Sequence, residues 1–168
     1  IPLNQWGDYY PGYTYALRDG IAKIRAEEKK NEAAREDGLD PGAVSNGLQG
    51  DAIQPLVIRA NQGDCLRVTF SNELEDEDAG FQVNGSAMII SSSGLPASAA
   101  SAGAITVAGE SQEFEWMIPI DEQEGSHTIQ SHAGRDPSSL GLTGVMVVEP
   151  KGSKYLDPWD SKPMESGW

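Results

Sequence analysis

Apolar residues recur at every second position in three segments of the chain. The apolar residues of these segments are Leu56, Ile58 and Ala60, then Leu66, Val68 and Phe70, and last Phe114, Trp116 and Ile118. Such alternation is typical of β-strands that bury one face and expose the other. Because the segments are short and are separated by Gly-Asp and Asn-Gly turns, they predict an antiparallel β-sandwich.

A helical pattern precedes the strands. Between Asp19 and Asp37 the chain is rich in Lys, Glu and Ala, and Ile21 and Ile24 lie at helical spacing. Asp19 stands where a helix cap is expected. The apolar stripe is narrow, so the sequence predicts a largely solvated helix at about residues 20–36, outside the sandwich.

The remaining segments are predicted to be irregular. Residues 73–78 are acidic and predict a solvated loop, with a calcium site as the alternative, and the small polar residues 91–104 predict a flexible loop. Residues 151–168 predict an extended linker or docking tail. An aromatic arm (Trp6, Tyr9, Tyr10 and Tyr13) and the aromatic residues of the tail (Tyr155, Trp159 and Trp168) are expected to pack on the sandwich or on a neighbouring domain.

The charge of the chain narrows the classes of partner. Its formal net charge is −14 at neutral pH, which argues against binding to nucleic acid or to anionic membrane surfaces. No apolar run approaches the length of a membrane span. No signal peptide is recognisable at Ile1, which leaves a cytoplasmic chain or a mature or internal fragment. Among these we expect a secreted, periplasmic or cell-surface protein, since an acidic surface suits an exported protein.

Three segments carry a resemblance to a known family. They are Gln54-Pro-Leu-Val-Ile-Arg-Ala-Asn-Gln-Gly-Asp-Cys-Leu-Arg-Val-Thr-Phe-Ser-Asn-Glu-Leu74, then Gly125-Ser-His-Thr-Ile-Gln-Ser-His132, and Gly141-Leu-Thr-Gly-Val-Met-Val-Val-Glu-Pro150. In order and spacing they resemble the cupredoxin domains of multicopper oxidases. The first segment resembles the paired N-terminal strands of that family, joined at a Gly-Asp turn. The ends of the chain are similar to the large multidomain bacterial members, the manganese-oxidase type among them. Together with the strand patterning, the resemblance implies a cupredoxin-like Greek-key β-sandwich of seven to nine strands between about residues 51 and 150. It also implies sister cupredoxin domains or subunits as partners.

The resemblance also implies a copper site, which this chain has largely lost. The family places copper-binding histidines at four positions that correspond to Gln82, Asn84, Gln130 and His132 here. A carboxamide is a weak neutral donor to copper, so we expect copper in the parent assembly and no tight copper binding by this chain. His132 and His127 are the candidate metal residues. Because they are five residues apart, an extended strand places them on opposite faces.

Cys65 is the only cysteine, so the chain has no internal disulfide framework. It begins a predicted strand, where it would point into the core or line a sheet edge. The blue-copper site of the family has a cysteine followed by histidine near the end of the domain, and Cys65 matches neither feature. A blue-copper role is therefore not expected.

These observations leave three hypotheses. The first is a copper-free cupredoxin-like domain, divided as arm, helix and loop (1–50), sandwich (51–150) and tail (151–168), which serves as a structural part of a multicopper oxidase or related copper-protein assembly. The second is a stand-alone extracellular structural or binding protein that reuses the fold. The third is a metalloprotein that uses His132 with ligands from elsewhere. In the first, the parent is an oxidoreductase and this chain alone is not catalytic.

Overall fold

The computed structural model contains one helix and nine strands in the part of the chain that it describes, residues 12–38, 52–84, 89–92, 105–133 and 141–163. A 3₁₀ turn at Arg18–Gly20 leads into α1 (Ile21–Glu36). The strands are β1 (Leu56–Asn61), β2 (Cys65–Ser71), β3 (Ala79–Gly80), β4 (Gln82–Val83), β5 (Ile89–Ser92), β6 (Ile105–Thr106), β7 (Ser111–Met117), β8 (Gly125–Gln130) and β9 (Thr143–Glu149).

The strands form two main sheets and one short ribbon. The first sheet has the order β1-β9-β8-β4, the second has the order β2-β7-β5, and β3 pairs with β6. All of these pairs are antiparallel except β1 and β9, which run parallel. The β-sandwich and the number of strands predicted from the sequence are confirmed for the described residues. The parallel pair is possible because a long stretch of chain connects the two strands.

The turn between β1 and β2 passes from one sheet to the other. The sequence resemblance suggests that these two strands pair with each other, and this is wrong, because β1 pairs with β9 and β2 with β7. Gly63 has a φ of +85° in this turn, a conformation that favours glycine. The Asp64 carboxylate accepts a hydrogen bond from the backbone N–H of Asn61 at 2.8 Å. Each strand buries only one face, so alternation alone does not show which sheet a strand joins.

The core lies between the two sheets and is centred on aromatic side chains. Trp116 is fully buried, and its ring lies 5.4 Å from that of Phe114 and 5.6 Å from that of Phe81. The predicted inward residues of β1 are buried, and those of β2 are half-buried against the core. Gly144 on β9 is needed for a close approach, since a Cβ atom there would lie 2.9 Å from the Leu56 carbonyl oxygen. The period-two prediction of the buried faces is therefore confirmed.

The predicted helix is also confirmed, with no residue of α1 fully buried. Asp19 does not cap it, because it lies in the 3₁₀ turn and Gly20 holds the cap position without a side-chain hydrogen bond. The Glu27 carboxylate accepts a hydrogen bond from the Ala52 amide and so ties the helix to the segment before β1. Among the described residues, no helix has the length and apolar character needed to cross a membrane.

The aromatic arm is described only in part, since Trp6, Tyr9 and Tyr10 lie outside the described residues. Tyr13 is half-buried against the core. Tyr15, which continues the arm, is buried, and its ring packs edge-on against Phe81 at 5.3 Å. This part of the N-terminal segment therefore packs on the sandwich.

The tail is folded back where the sequence predicts an extended segment. It makes turns after Pro150 and Asp157, and Leu156 pairs with Pro163 in a single β-bridge. Tyr155 stacks under the Arg59 guanidinium, 4.3 Å from the ring centroid. Trp159, in contrast, is 91% exposed. Trp168 lies outside the described residues.

Two predicted loops have different outcomes. The acidic residues 73–78 contain no strand and are mostly exposed, as expected for a solvated loop. The predicted loop at 91–104 begins too early, because Ser91 and Ser92 belong to β5 and pair with β7. Small polar residues are tolerated there because strand pairing uses the backbone and not the side chains. Residues 93–104 lie outside the described residues.

Candidate functional site

The four positions at which the family resemblance implies histidines lie on β4 and β8 or just beyond the ends of these strands. Gln82 is paired directly with Gln130 across the two strands. Beyond the end of β4, the backbone N–H of Asn84 donates a hydrogen bond to the backbone carbonyl oxygen of Thr128 at 2.9 Å. Residues of even number on both strands face outward, because the odd-numbered residues between them are buried. Gln82, Asn84, Gln130 and His132 therefore share one outer face, which we call the amide face.

Two carboxamides of the amide face are bonded to each other. The Asn84 Nδ2 group donates a hydrogen bond to Gln130 Oε1 at 3.0 Å, and both side chains are half-buried. This hydrogen bond uses the Gln130 oxygen, which is the atom of that side chain best able to bind a metal ion. The sequence indicated the residue types at these positions, but the hydrogen bond between them is visible only in the structure.

The two histidines are not brought together. His132 follows the end of β8 and is exposed on the amide face, whereas His127 points inward and is only 7% exposed. They lie on opposite faces of the same segment, so one metal ion cannot bind both side chains. The two candidate metal residues predicted from the sequence therefore lie in different environments.

His127 lies beside a buried glutamate that sequence reasoning did not single out. Its Nε2 atom is 3.9 Å from Oε1 of Glu122, and the two side chains are 8% and 5% exposed. This separation is too long for a hydrogen bond, and Nε2 is buried without a hydrogen-bond partner. Glu122 precedes β8 in a loop where acidic residues are common, so its sequence context carried no signal that it would be buried.

The histidine and the glutamate line a hollow of about 470 Å³. Its other lining residues come from the loop before β8, from β8 itself and from the end of β4: Asn84, Gln123, Glu124, Gly125, Ser126 and Thr128. Residues 123–126 are exposed, so solvent reaches the hollow, while His127 and Glu122 form its buried wall. The hollow thus joins two buried polar side chains to a water-accessible, acidic rim.

Cys65 lies on β2, in the other main sheet from both histidines. It is exposed on an edge strand, so the sheet-edge prediction is confirmed and the core alternative is wrong. Its thiol donates a hydrogen bond to Glu115 Oε1 at 3.0 Å. This bond to the carboxylate is the main cause that raises the pKa of the Cys65 thiol above its ordinary value.

The described residues contain no group of three or more His, Cys, Asp or Glu side chains arranged to hold a metal ion. The described acidic loop at 73–78, where the sequence raised a calcium site as the alternative, contains no such group either.

No family model matches the chain, and no curated protein sequence matches it. Several solved structures are similar to it in fold. A multicopper oxidase from Pseudomonas thermotolerans matches 61% of this chain at 24% identity with a TM-score of 0.46, and this chain spans 24% of its length. Copper nitrite reductase from Nitrosomonas europaea matches 71% of this chain at 18% identity with a TM-score of 0.46, over 38% of its own length.

Auracyanin from Roseiflexus castenholzii, described as a dithionite-reduced form, is also similar. It matches 57% of this chain at 17% identity with a TM-score of 0.38, over 86% of its own length. At these identities and TM-scores the likeness does not extend to activity. The sandwich of this chain, with one helix outside it, is cupredoxin-like in fold.

Proposed function

We propose that this chain is a cupredoxin-like domain whose own copper site is degenerate and that it serves as a structural part of a larger multicopper oxidase or copper-protein assembly. The parent would be an oxidoreductase of the large multidomain bacterial kind, with the manganese-oxidase type among the candidates. Copper would be held by sister domains. This chain would supply a folded surface against which those domains pack, and the division at residues 50 and 150 would separate arm, sandwich and tail.

The hydrogen bond from Asn84 to Gln130 carries this proposal. It ties together two side chains at positions where the family resemblance expects imidazoles. A copper ion at these positions would have to break the bond and would gain only a neutral amide oxygen, a weaker copper ligand than imidazole nitrogen. A self-satisfied amide pair therefore favours a structural face over a metal-binding one.

The outward direction of the amide face supports packing against a neighbour. Asn84 and Gln130 are half-buried, and His132 next to them is exposed. Polar side chains of this kind suit the rim or the wet part of a domain interface, where hydrogen bonds and bridging waters are common. The proposed partner surface is a sister cupredoxin domain or subunit.

Copper content tests the degenerate site. After dialysis against copper-free buffer, the chain is expected to retain copper well below one ion per molecule, measured by inductively coupled plasma mass spectrometry. The variant that carries Gln82→His, Asn84→His and Gln130→His beside the native His132 is expected to retain more, because it regains four imidazoles on one face. Stoichiometric copper in the native chain, lost on His132→Ala, would contradict the proposal.

The structural role needs a second measurement, since copper content does not address it. Native mass spectrometry of the protein purified from its source is expected to give a polypeptide much longer than 168 residues or a complex with a copper-rich partner. A secreted, periplasmic or cell-surface location is expected for such an assembly, and fractionation of the source cells tests it.

The alternative is a stand-alone extracellular structural or binding protein. Trp159 is 91% exposed on the folded tail. An exposed aromatic side chain is suited to binding a partner, and this observation favours the alternative. A native mass equal to that of this chain alone, with no copper protein bound, would support this alternative and overturn the first proposal. Use of His132 with ligands from another chain would instead appear as copper present only in the intact complex.

A further inference from the structure

A second polar site is centred on the inner side of β8 and borders the amide face through Asn84. Its two buried members are His127 and Glu122, with their side chains 8% and 5% exposed. The hollow beside them is lined by both residues and opens toward the exposed residues 123–126. Neither of these two residues is among the positions that define the degenerate copper site, and His132 lies on the opposite face of the segment from His127.

The Nε2 nitrogen of His127 has no hydrogen-bond partner, and this feature points to a ligand. Burying a polar atom without a hydrogen bond is unfavourable, and Nε2 of His127 is buried without a hydrogen-bond partner. Its nearest carboxylate oxygen, Oε1 of Glu122, is 3.9 Å away. A group placed between these two atoms would remove the cost on the histidine.

We propose that His127 Nε2 and Glu122 Oε1 bind a divalent transition-metal ion of the Zn²⁺ class in this hollow, a site that we call the inner metal site. Water from the hollow would complete the coordination shell.

The separation of the two atoms suits one ion. Zinc binds imidazole nitrogen and carboxylate oxygen at about 2.0–2.2 Å each, so a single ion can contact both atoms only if they lie within about 4.3 Å. The observed 3.9 Å meets this limit. Tetrahedral geometry would bring the atoms to about 3.4 Å, a closure of about 0.5 Å, which side-chain rotation can supply. No movement of the strands is required.

The donor atoms select the class of ion. Imidazole nitrogen with carboxylate oxygen suits zinc and its neighbours, whereas Ca²⁺ and Mg²⁺ take oxygen ligands. The charge around the hollow also favours a cation. Its lining includes Glu122 and Glu124, and none of the described lining residues is Lys or Arg. The net charge of −14 raises the local concentration of cations near the whole surface.

Zinc titration of matched variants tests the proposal. Isothermal titration calorimetry with ZnCl₂ is expected to show one specific site on the native chain. His127→Ala and Glu122→Gln are each expected to weaken it at least tenfold. His132→Ala removes the same residue type from the outer face and is expected to leave the affinity unchanged. Glu113→Gln removes the same charge from an exposed position on β7 and is also expected to have no effect.

The results of the zinc titrations distinguish the inner metal site from binding elsewhere on the chain. Equal binding by His127→Ala and the native chain would show adventitious binding to the acidic surface and would overturn the proposal, as would the absence of zinc uptake. Weakening by His132→Ala, with His127→Ala unchanged, would place the metal on the amide face and would instead count against the degenerate-site proposal. The two proposals therefore fail in different variants.

A measurement on the native chain covers the case in which a variant does not fold. Long-range ¹H–¹⁵N correlation spectra report the two ring nitrogens of each histidine separately. Saturation with Zn²⁺ is expected to shift Nε2 of His127 strongly and to leave the His132 ring near its metal-free position. An unchanged His127 signal at zinc saturation would overturn the inner metal site without any substitution.

Discussion

The hydroxyl of Tyr15 donates a hydrogen bond of 2.5 Å to the carbonyl oxygen of Gly80, 65 residues further along the chain. Both residues are buried, and the Tyr15 ring packs against Phe81 beside that bond. Burial raises the pKa of the Tyr15 hydroxyl, so the group stays protonated and remains a donor. This contact holds the N-terminal segment on the sandwich at the β3 edge.

Tyr15→Phe is expected to lower the free energy of unfolding by about 1–3 kcal/mol, because it leaves the buried Gly80 carbonyl without this donor. Urea unfolding followed by circular dichroism measures the change. Tyr13→Phe is the matched control at a half-buried position and is expected to cost less. A loss of less than about 0.5 kcal/mol for Tyr15→Phe would mean that the Tyr15 hydrogen bond does not stabilise the fold.

Two tryptophans provide a test of the core. Trp116 is fully buried between aromatic rings, whereas Trp159 is 91% exposed. Trp116→Ala is expected to destabilise the chain by about 3–5 kcal/mol, since it removes a large, fully buried side chain and leaves a cavity. Trp159→Ala is expected to change stability by less than about 0.5 kcal/mol. Thermal unfolding of both variants checks this contrast, and a large loss for Trp159→Ala would show that the tail packs differently.

The amide pair of Asn84 and Gln130 is expected to contribute a coupling energy of about 0.5–1.5 kcal/mol, the range for an intramolecular hydrogen bond. A double-mutant cycle with Asn84→Ala and Gln130→Ala isolates it from the effects of each side chain. The measurement is the free energy of unfolding of the four proteins. Additive losses, with no coupling, would remove the self-satisfied pair as support for a structural amide face.

The reactivity of Cys65 depends on its neighbouring carboxylate. The hydrogen bond to Glu115 raises the pKa of the thiol, so less of the reactive thiolate is present at about pH 8 than for an ordinary cysteine. Glu115→Gln removes the negative charge and lowers that pKa. The rate of alkylation by iodoacetamide at pH 8 is therefore expected to rise several-fold.

Arg67 provides the control with the opposite sign. Its charge lowers the pKa of the Cys65 thiol and so opposes the effect of Glu115. Arg67→Gln is expected to slow alkylation at the same pH. The pH profile of the alkylation rate distinguishes a change in pKa from a change in access, because access alone would scale the rate equally at every pH.

Most secondary structure was determined by the sequence itself. The alternation of Leu56, Ile58 and Ala60 predicted both a strand and its buried face, because successive side chains of a strand point to opposite sides whatever the strand pairs with. The helix was predictable for the same reason, since its apolar spacing is a local property. The same alternation places His127 and His132 on opposite faces of one segment.

The partners of these elements were decided by the tertiary structure. Alternation does not show that β1 lies parallel to β9, nor that Gly144 must lack a side chain so that the Leu56 carbonyl can approach it. Strand pairing joins segments that are distant in sequence, and no local pattern encodes which two will meet. For this reason the apparent pairing of β1 with β2 was wrong even though both strands were predicted correctly.

The candidate sites divide in the same way. The sequence determined that amides occupy three positions where the family resemblance expects imidazoles, because residue type is read directly. Only the fold joined Asn84 to Gln130 and buried Glu122 within 3.9 Å of His127. Glu122 follows β7 in a loop, and its burial depends on how that loop packs beneath β8. The distance between two side chains is a property of packing, which the sequence alone does not supply.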